Sequence, residues 1–201
     1  VFQRGTGTVN YDAPFALGEK FLSVEGCAAK LTSALDGTTA TVGHLTVGVS
    51  GKAEMTQEGG TAKMYGINVG SGKNYQNLIL GDAAGSEGTY NLKGGKLSSD
   101  WNTFVGYCGT GRLCQTGGEA ELGTRGWLVI GQASGGKGTY QQSGGTARVV
   151  SASMGCIVGE SGEGTLDVSG EGSFTVANEF RLTSNAGSKS TVNVHDGGRL
   201  A

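Results

Sequence analysis

Apolar and polar residues alternate along much of this chain in short runs that end in glycine. Leu166 and Val168 alternate with Thr165 and Asp167, and the same pattern occurs over residues 191–194. A period of two residues is the period of a β-strand, in which successive side chains point to opposite faces. Glycine at the end of a run supplies the positive φ that a sharp corner needs. The pattern therefore predicts short strands joined by tight corners and no helices.

The runs belong to an internal repeat. The octapeptide GTYNLKGG of residues 88–95 returns as GTYQQSGG at 138–145 and, more altered, as GTLDVSGE at 164–171. Each copy follows a segment of three apolar residues and a glycine, at residues 78–81, 128–131 and 156–159. A fixed period of this kind indicates one supersecondary unit stacked on copies of itself. We predict an all-β fold, a right-handed parallel β-helix (a three-faced β-solenoid) with coils of about 23–28 residues.

The regularity divides the chain into two parts of one continuous solenoid domain. Residues 45–201 carry the regular repeats, whereas residues 1–44 keep the pattern only loosely and are expected to form degenerate N-terminal coils or a cap, as terminal repeats do. The segment around 65–76 lengthens one repeat and is rich in Gly and Asn. It is therefore expected to leave the stack as a loop.

Aligning the repeats predicts two inward columns. The apolar residue before the glycine is expected to form a core ladder, made of Val47, Leu80, Val105, Ile130, Val158 and Leu182. By strand parity Gln115 and Gln142 also point inward on successive coils. Their amides are expected to hydrogen-bond to each other along the axis as an internal polar ladder.

The chain has four cysteines and no C-x-x-C pair, which argues against a zinc site. Cys156 falls in an inward column, where a thiol behaves as a small apolar residue. Cys108 and Cys114 flank one glycine corner and are candidates for a disulfide, unless the corner holds them too far apart.

Composition and motifs exclude several functions. Gly is 40 of 201 residues, Pro only 1, and the formal net charge is −2, so no basic surface for nucleic acid is expected. No run of 18 apolar residues exists, so direct membrane insertion is not expected. His44 and His195 are far apart and belong to no catalytic triad pattern, and carboxylates such as Glu160 and Glu163 are expected to be solvated corner charges. We predict no catalytic residue, no metal, no cofactor and no enzymatic activity.

The segment from Leu128 to Thr146, with the pattern L-x-I-G-x4-G-x-G-T-Y-x-Q-S-G-G-T, resembles the repeats of large bacterial surface proteins. These include autotransporter-type passengers and relatives with C-terminal sorting signals, and the resemblance covers about residues 45–201. It implies an extracellular or cell-surface protein with a structural or adhesive role as a stalk, shaft, filament or surface-layer element.

Two other functions stay open. A glycan-binding adhesin would use exposed aromatic residues such as Trp101, Trp127, Tyr65 or Tyr75, and a carbohydrate-active β-helix enzyme would need converging carboxylates in a groove. The partners expected are further repeats of the same polypeptide or other copies of the chain, joined end to end, with glycans or a cell surface as the alternative. The first residue is Val1. We therefore expect a processed protein or an excerpt of a longer one.

Overall fold

The structure, a computed structural model, describes residues 2–4, 8–11, 15–16, 21–31, 39–65 and 76–201, with side chains for 22–30, 42–65 and 77–201. In these residues the chain forms β-strands and no helix. The strands make three parallel sheets, and each sheet receives every third strand of the chain. The protein is thus a three-faced parallel β-solenoid, as the sequence predicts.

Sheet 1 contains β1 (Phe2–Arg4), β4 (Phe21–Glu25), β7 (His44–Val47), β10 (Gln76–Leu80), β13 (Asn102–Val105), β16 (Leu128–Ile130), β19 (Gly155–Val158) and β22 (Glu179–Leu182). Sheet 2 contains β2 (Thr8–Tyr11), β5 (Ala28–Leu31), β8 (Lys52–Gln57), β11 (Glu87–Leu92), β14 (Thr110–Gln115), β17 (Lys137–Gln142), β20 (Glu163–Val168) and β23 (Lys189–Val194). Sheet 3 contains β3 (Phe15–Ala16), β6 (Thr39–Val42), β9 (Thr61–Met64), β12 (Lys96–Ser99), β15 (Glu119–Leu122), β18 (Thr146–Val149), β21 (Ser173–Val176) and β24 (Arg199–Leu200).

Three consecutive strands make one coil, so β7 to β24 form six coils, and β1 to β6 continue the three sheets into the first 44 residues. From β8 to β23, sheet 2 keeps one uninterrupted register, with six residues paired at every step from β8 to β11 onward. The extra length that the sequence places between β9 and β10 falls on residues 66–75, outside the described residues, and a register shift follows it between Gln76 and Leu78.

The predicted core column stacks in register across six strands of sheet 1. Its first five members are fully buried, namely Val47, Leu80, Val105, Ile130 and Val158. Leu182 departs from the expectation of burial, with 50% of its surface exposed. It stacks on Val158 from β22, which is the outermost strand of sheet 1, so no further strand covers it.

The residue after this column turns the chain from sheet 1 toward sheet 2. Gly131 has φ of 81°, and a Cβ there would lie 2.4 Å from the carbonyl oxygen of Glu163 in the next coil. Positive φ and close approach together exclude any residue but glycine at this corner. The equivalent residue of the last coil is Thr183, which keeps a positive φ of 50° although it is β-branched.

Gln115 and Gln142 point inward and are buried, but their amides do not bond to each other. The Gln115 Nε2 donates to the carbonyl oxygens of Gly118 and Thr146, at 3.2 and 3.0 Å. The Gln142 Nε2 donates to those of Gly145 and Ser173, at 3.0 and 3.1 Å. The expected amide ladder is therefore wrong in its bonding. Each glutamine ends its strand, where its amide nitrogen reaches a backbone carbonyl of the following corner and one of sheet 3 in the next coil.

The candidate disulfide between Cys108 and Cys114 is not formed, and both residues are thiols. Cys108 lies in the corner before β14, whereas Cys114 is near the far end of that strand. Four strand steps of about 3.3 Å separate Thr110 from Cys114 alone, beyond the Cα separation of about 7 Å that a disulfide tolerates.

Candidate functional site

The outer face of sheet 1 carries an apolar column where a solenoid normally presents polar residues to solvent. Ile79, Phe104, Val129 and Ile157 occupy the outward position of four successive strands and are only 2–6% exposed. We call these four residues the outer cluster. Tyr107 and Trp127 pack against it from outside, and the rings of Phe104 and Tyr107 meet edge to face with centroids 5.0 Å apart.

The outer cluster was not predicted from the sequence, although the chain carries a signal for it. Residues 78–80, 128–130 and 156–158 are each three consecutive apolar residues, not an alternating triplet. A continuous apolar run is typical of a strand that is buried on both faces. The middle residue of each run could therefore have been assigned to a covered outer face.

Three aromatic residues lie at successive corners between sheet 3 and sheet 1. Tyr65 follows β9 and is 38% exposed, Trp101 stands between β12 and β13, and Trp127 stands between β15 and β16. The corresponding corner of the next coil, between β18 and β19, contains Met154. We call this series the aromatic corner. Its members follow the solenoid axis at one residue per coil, with coils about 4.8 Å apart.

Asparagine side chains hold the backbone of both tryptophans. The Trp101 amide donates to Oδ1 of the buried Asn77, and the Trp127 amide donates to Oδ1 of Asn102 at 2.8 Å. The Asn77 Nδ2 in turn donates to the carbonyl oxygens of Gly43 and Tyr65, at 2.9 and 2.7 Å. Both the oxygen and the nitrogen of the Asn77 side-chain amide thus have hydrogen-bond partners. Because a buried polar group that loses its partners costs free energy, these bonds hold the corner in one conformation.

Each indole is also covered by a guanidinium that has its own carboxylate. The Arg181 Cζ lies 4.9 Å from the ring centroid of Trp127, and Arg181 forms a two-bond ion pair with Glu179. The Arg125 Cζ lies 4.8 Å from the ring centroid of Trp101, and its Nη2 lies 2.9 Å from Oδ2 of Asp100. Cation–π stacking of this kind orients the rings and fills their outer faces in part.

The hydrogen bonds between Arg181 and Glu179 shift both groups toward their charged forms. They raise the pKa of Arg181 above its ordinary value and lower the pKa of Glu179 below its own. Arg181 and Glu179 are therefore both charged at neutral pH, and their charges cancel. Because both groups are solvent-exposed, the ion pair adds little to the stability of the fold.

Two depressions adjoin Trp127 and share its indole and the Asn102 side chain. The larger has a volume of about 420 Å³ and is lined by Trp101, Asn102, Arg125, Gly126, Trp127 and Met154. The smaller, of about 210 Å³, is lined by Asn102, Phe104, Trp127, Val129, Gln132, Ile157, Glu160 and Arg181. We call the two together the aromatic groove.

Glycine at position 126 is required for the floor of the larger depression. A Cβ there would lie 2.6 Å from the backbone nitrogen of Asn102. The missing side chain lets the corner before β16 lie directly against the backbone of Trp101 and Asn102, so the spacing of the two coils at the groove depends on this residue.

The lining of the groove combines flat aromatic surface with a few polar side chains. Small-molecule binding sites have the same combination. Among the residues lining the two depressions, Glu160 is the one carboxylate. The lining therefore supplies the contacts for non-covalent binding and lacks the pair of carboxylates that glycoside hydrolysis generally uses.

The other candidate residues lie away from the groove or in ordinary ion pairs. Buried His44 bonds to Thr46 at 2.6 Å, and His195 lies between Asp167 and Asp196 after β23. The Glu163 carboxylate lies 3.8 Å from Lys137 Nζ and 2.9 Å from Lys189 Nζ. Tyr75 lies outside the described residues.

Within the part of the chain that the structure describes, no three His, Cys, Asp or Glu side chains are grouped to hold a metal ion. No helix among the same residues has the length and hydropathy needed to span a membrane.

Comparison of the chain with protein-family models, with curated proteins and with solved structures gave no match. The assignment to the parallel β-solenoid class therefore rests on the strand order and register of the structure itself.

Proposed function

We propose that this chain is a shaft segment of an extracellular bacterial surface protein, with a structural role as a stiff β-solenoid. The observation that carries the proposal is the uninterrupted register of sheet 2 from β8 to β23. In such a stack each coil contacts only its neighbours, and length grows by about 4.8 Å per coil. Continuous hydrogen bonding parallel to the axis makes the stack a rod, which suits a spacer that projects from a surface.

The location comes from the repeat motif. Residues 128–146 resemble the repeats of autotransporter-type passengers and related surface proteins, in which such coils form stalks, adhesin shafts and envelope layers. Resemblance of a repeat is an associational argument for function. It supports an extracellular or cell-surface location and assigns no enzymatic activity.

The partner that we propose is a further coil, from the same polypeptide or from a second copy, stacked on β22 to β24. Leu182 and Val194 belong to core columns that are buried elsewhere, yet 50% and 45% of their surfaces are exposed. A covering coil would bury both side chains and pair the outer backbone groups of these strands. In earlier coils the next strand approaches the equivalent corner too closely for a Cβ. The covering coil would therefore have to lie farther from Thr183 than earlier coils lie from their glycines.

The location is tested by antibody labelling of intact cells of the organism that makes the protein. We expect labelling without permeabilisation, with an antibody to a cytoplasmic protein as the negative control. Labelling only after permeabilisation would contradict the proposed location.

The shaft role is tested by lengthening the solenoid. Residues 106–158 span two coils, from the residue after Val105 to Val158 in the same core column. A tandem duplication of this segment should lengthen the particle by about 10 Å in small-angle X-ray scattering, with an unchanged cross-section. A duplicated variant that unfolds, or that grows in cross-section, would show that the coils are not interchangeable rod units.

A further inference from the structure

We infer that the aromatic groove is a binding site for a neutral oligosaccharide that lies along the aromatic corner. One sugar unit occupies the larger depression between Trp101 and Trp127, and a second occupies the smaller depression on the other side of Trp127. This activity goes beyond the shaft role and depends on different residues.

The apolar half of the recognition comes from the indole rings. Trp101 and Trp127 occupy equivalent corners of successive coils, held there by Asn77 and Asn102. Sugar rings present a face of C–H groups, and that face packs on the indole surface that lines the depressions and that Arg125 and Arg181 leave uncovered. The hydroxyl groups at the edge of the sugar ring keep their hydrogen bonds. The coil spacing of about 4.8 Å is comparable with the length of one hexose unit, so successive sugars meet successive corners.

The polar half comes from the rim of the smaller depression. Asn102 and Gln132 carry amides with both donors and acceptors, Glu160 offers an acceptor, and Arg181 offers donors. A hydroxyl group is at once a donor and an acceptor, so a mixed rim of this kind satisfies a polyhydroxyl ligand.

Charge selects a neutral ligand over an anionic one. The two guanidinium groups of the groove are already paired, Arg125 with Asp100 and Arg181 with Glu179. The remaining charged group of the lining is the Glu160 carboxylate. A uronic or sialic acid would therefore meet repulsion without a free cation to compensate it.

The sheet geometry disfavours a peptide at the same place. Extended peptides bind to sheets chiefly by pairing with an unpaired strand edge. Strands β13, β16 and β19 each have a paired neighbour on both sides. Their ladder groups are thus engaged within sheet 1, and the groove offers side chains only.

The sizes of the depressions predict a dependence on ligand length. The larger, at about 420 Å³, is within the range of small-ligand sites, and the smaller, at about 210 Å³, is suited to one additional unit. A tetrasaccharide should therefore bind at least about tenfold more tightly than the matching monosaccharide.

The two tryptophans of the groove are the only two in the sequence, so tryptophan emission, excited at a wavelength that tyrosine does not absorb, reports on this site alone. The probes are cellotetraose, xylotetraose and chitotetraose. Glucose, xylose and N-acetylglucosamine are the matching monosaccharide controls, and tetragalacturonic acid is the anionic control. We expect at least one neutral tetrasaccharide to change the emission saturably, with a Kd of about 0.1 to 1 mM. No response to any neutral probe up to about 10 mM, or a response to the anionic probe alone, would overturn the assignment.

Variants separate binding from folding, with calorimetry replacing fluorescence where a tryptophan is removed. Trp101→Ala and Trp127→Leu should each weaken binding at least about tenfold, and the leucine keeps an apolar contact with the outer cluster. Gln141→Ala, at an exposed position on sheet 2, is the matched control and should leave Kd within about twofold. Equal loss in the control and the tryptophan variants, or no loss in either tryptophan variant, would exclude the groove. Failure here leaves the cell-labelling and coil-duplication results for the shaft unaffected.

Discussion

The Tyr140 hydroxyl donates a hydrogen bond of 2.6 Å to Oε1 of Gln115, which lies one coil earlier in the solenoid core. Tyr90 makes the same bond to Gln57 at 2.7 Å. Gln142 occupies the same column as Gln115, but the next coil presents Leu166 where a tyrosine would be needed. Its Oε1 is accordingly buried without a hydrogen-bond partner.

Replacing the two glutamines by methionine should have unequal effects. Gln115→Met leaves a buried tyrosine hydroxyl without its acceptor, whereas Gln142→Met removes an oxygen that has no partner. Each change removes two side-chain hydrogen bonds to backbone carbonyls, so the difference isolates the tyrosine bond. We expect Gln115→Met to lower the free energy of unfolding by about 1–2 kcal/mol more than Gln142→Met, measured by urea denaturation. Equal losses would contradict a stabilising role for the Tyr140 bond.

Strand parity is tested at Ile130 and Thr139. Ile130 is fully buried, and Ile130→Asp should abolish folding or disorder the coils around it, because a buried carboxylate would have no partner. Ile130→Ala should cost about 2–5 kcal/mol. Thr139 lies on the outer face of sheet 2, and Thr139→Ser should change stability by less than about 0.5 kcal/mol. Thermal melts followed by circular dichroism give the comparison, and similar melting temperatures for Ile130→Asp and Thr139→Ser would contradict the parity.

The cysteines should react with iodoacetamide in two classes. Burial raises the pKa of the Cys156 thiol far above its ordinary value and closes access to it, so it should react only after unfolding. Partly exposed Cys108 and Cys114 should react in the folded protein without prior reduction. Peptide mass spectrometry identifies the labelled sites. Labelling of Cys108 and Cys114 only after reduction would show that the two residues form the disulfide predicted from the sequence.

His195 should make stability depend on pH. Its hydrogen bonds to Asp196 and then to Asp167 raise its pKa above the ordinary 6.5. The folded state therefore binds the proton more tightly than the unfolded state does. The resulting stabilisation is present below pH 6.5 and is lost as pH rises through the folded-state pKa.

The matched change is His195→Gln, which should remove that part of the pH dependence, while Asp167→Asn should reduce it. Chemical denaturation at pH values on either side of about 6.5 measures the effect. An identical pH dependence in the unchanged protein and in His195→Gln would show that the aspartates contribute nothing.

Replacing Thr183 by glycine should make the folded protein more stable. A β-branched residue with φ of 50° is strained, and earlier coils place glycine at this corner. Thr183→Gly should raise the free energy of unfolding by about 1 kcal/mol, less the entropy that glycine adds to the unfolded chain. The reverse change, Gly159→Thr, should be disruptive because a Cβ there would lie 2.4 Å from the Lys189 carbonyl oxygen.

The same substitution bears on end-to-end stacking. If a further coil covers Leu182, removing the Thr183 side chain should strengthen association, seen as a larger mass in light scattering across a concentration series. A strictly monomeric Thr183→Gly variant at every concentration would leave further repeats of the same polypeptide as the partner.

Sequence alone determined the strands, the corners and the stacking of equivalent residues. In a solenoid each residue contacts its counterpart one repeat away, so an alignment of the repeats is also a list of contacts. That is why the column through Ile130 and the glycine of position 131 could be placed from pattern only. Leu182 shows the limit of this reasoning, because its exposure depends on which strand lies at the edge of the sheet.

Tertiary structure alone decided which polar atoms of neighbouring side chains bond to each other, since that depends on rotamers and on the turn of each corner. The pairing of Tyr140 with Gln115, in place of an amide ladder, follows from the position of Gln115 at the strand end, where its Nε2 reaches two backbone carbonyls and its Oε1 accepts from the tyrosine. The separation of Cys108 from Cys114 follows from the extended strand between them. Trp101 and Trp127 could be picked out as candidate aromatics, although both are half-buried and not exposed as expected. Only the corners held by Asn77 and Asn102, with Gly126 allowing close backbone approach of the two coils, make them two walls of one groove.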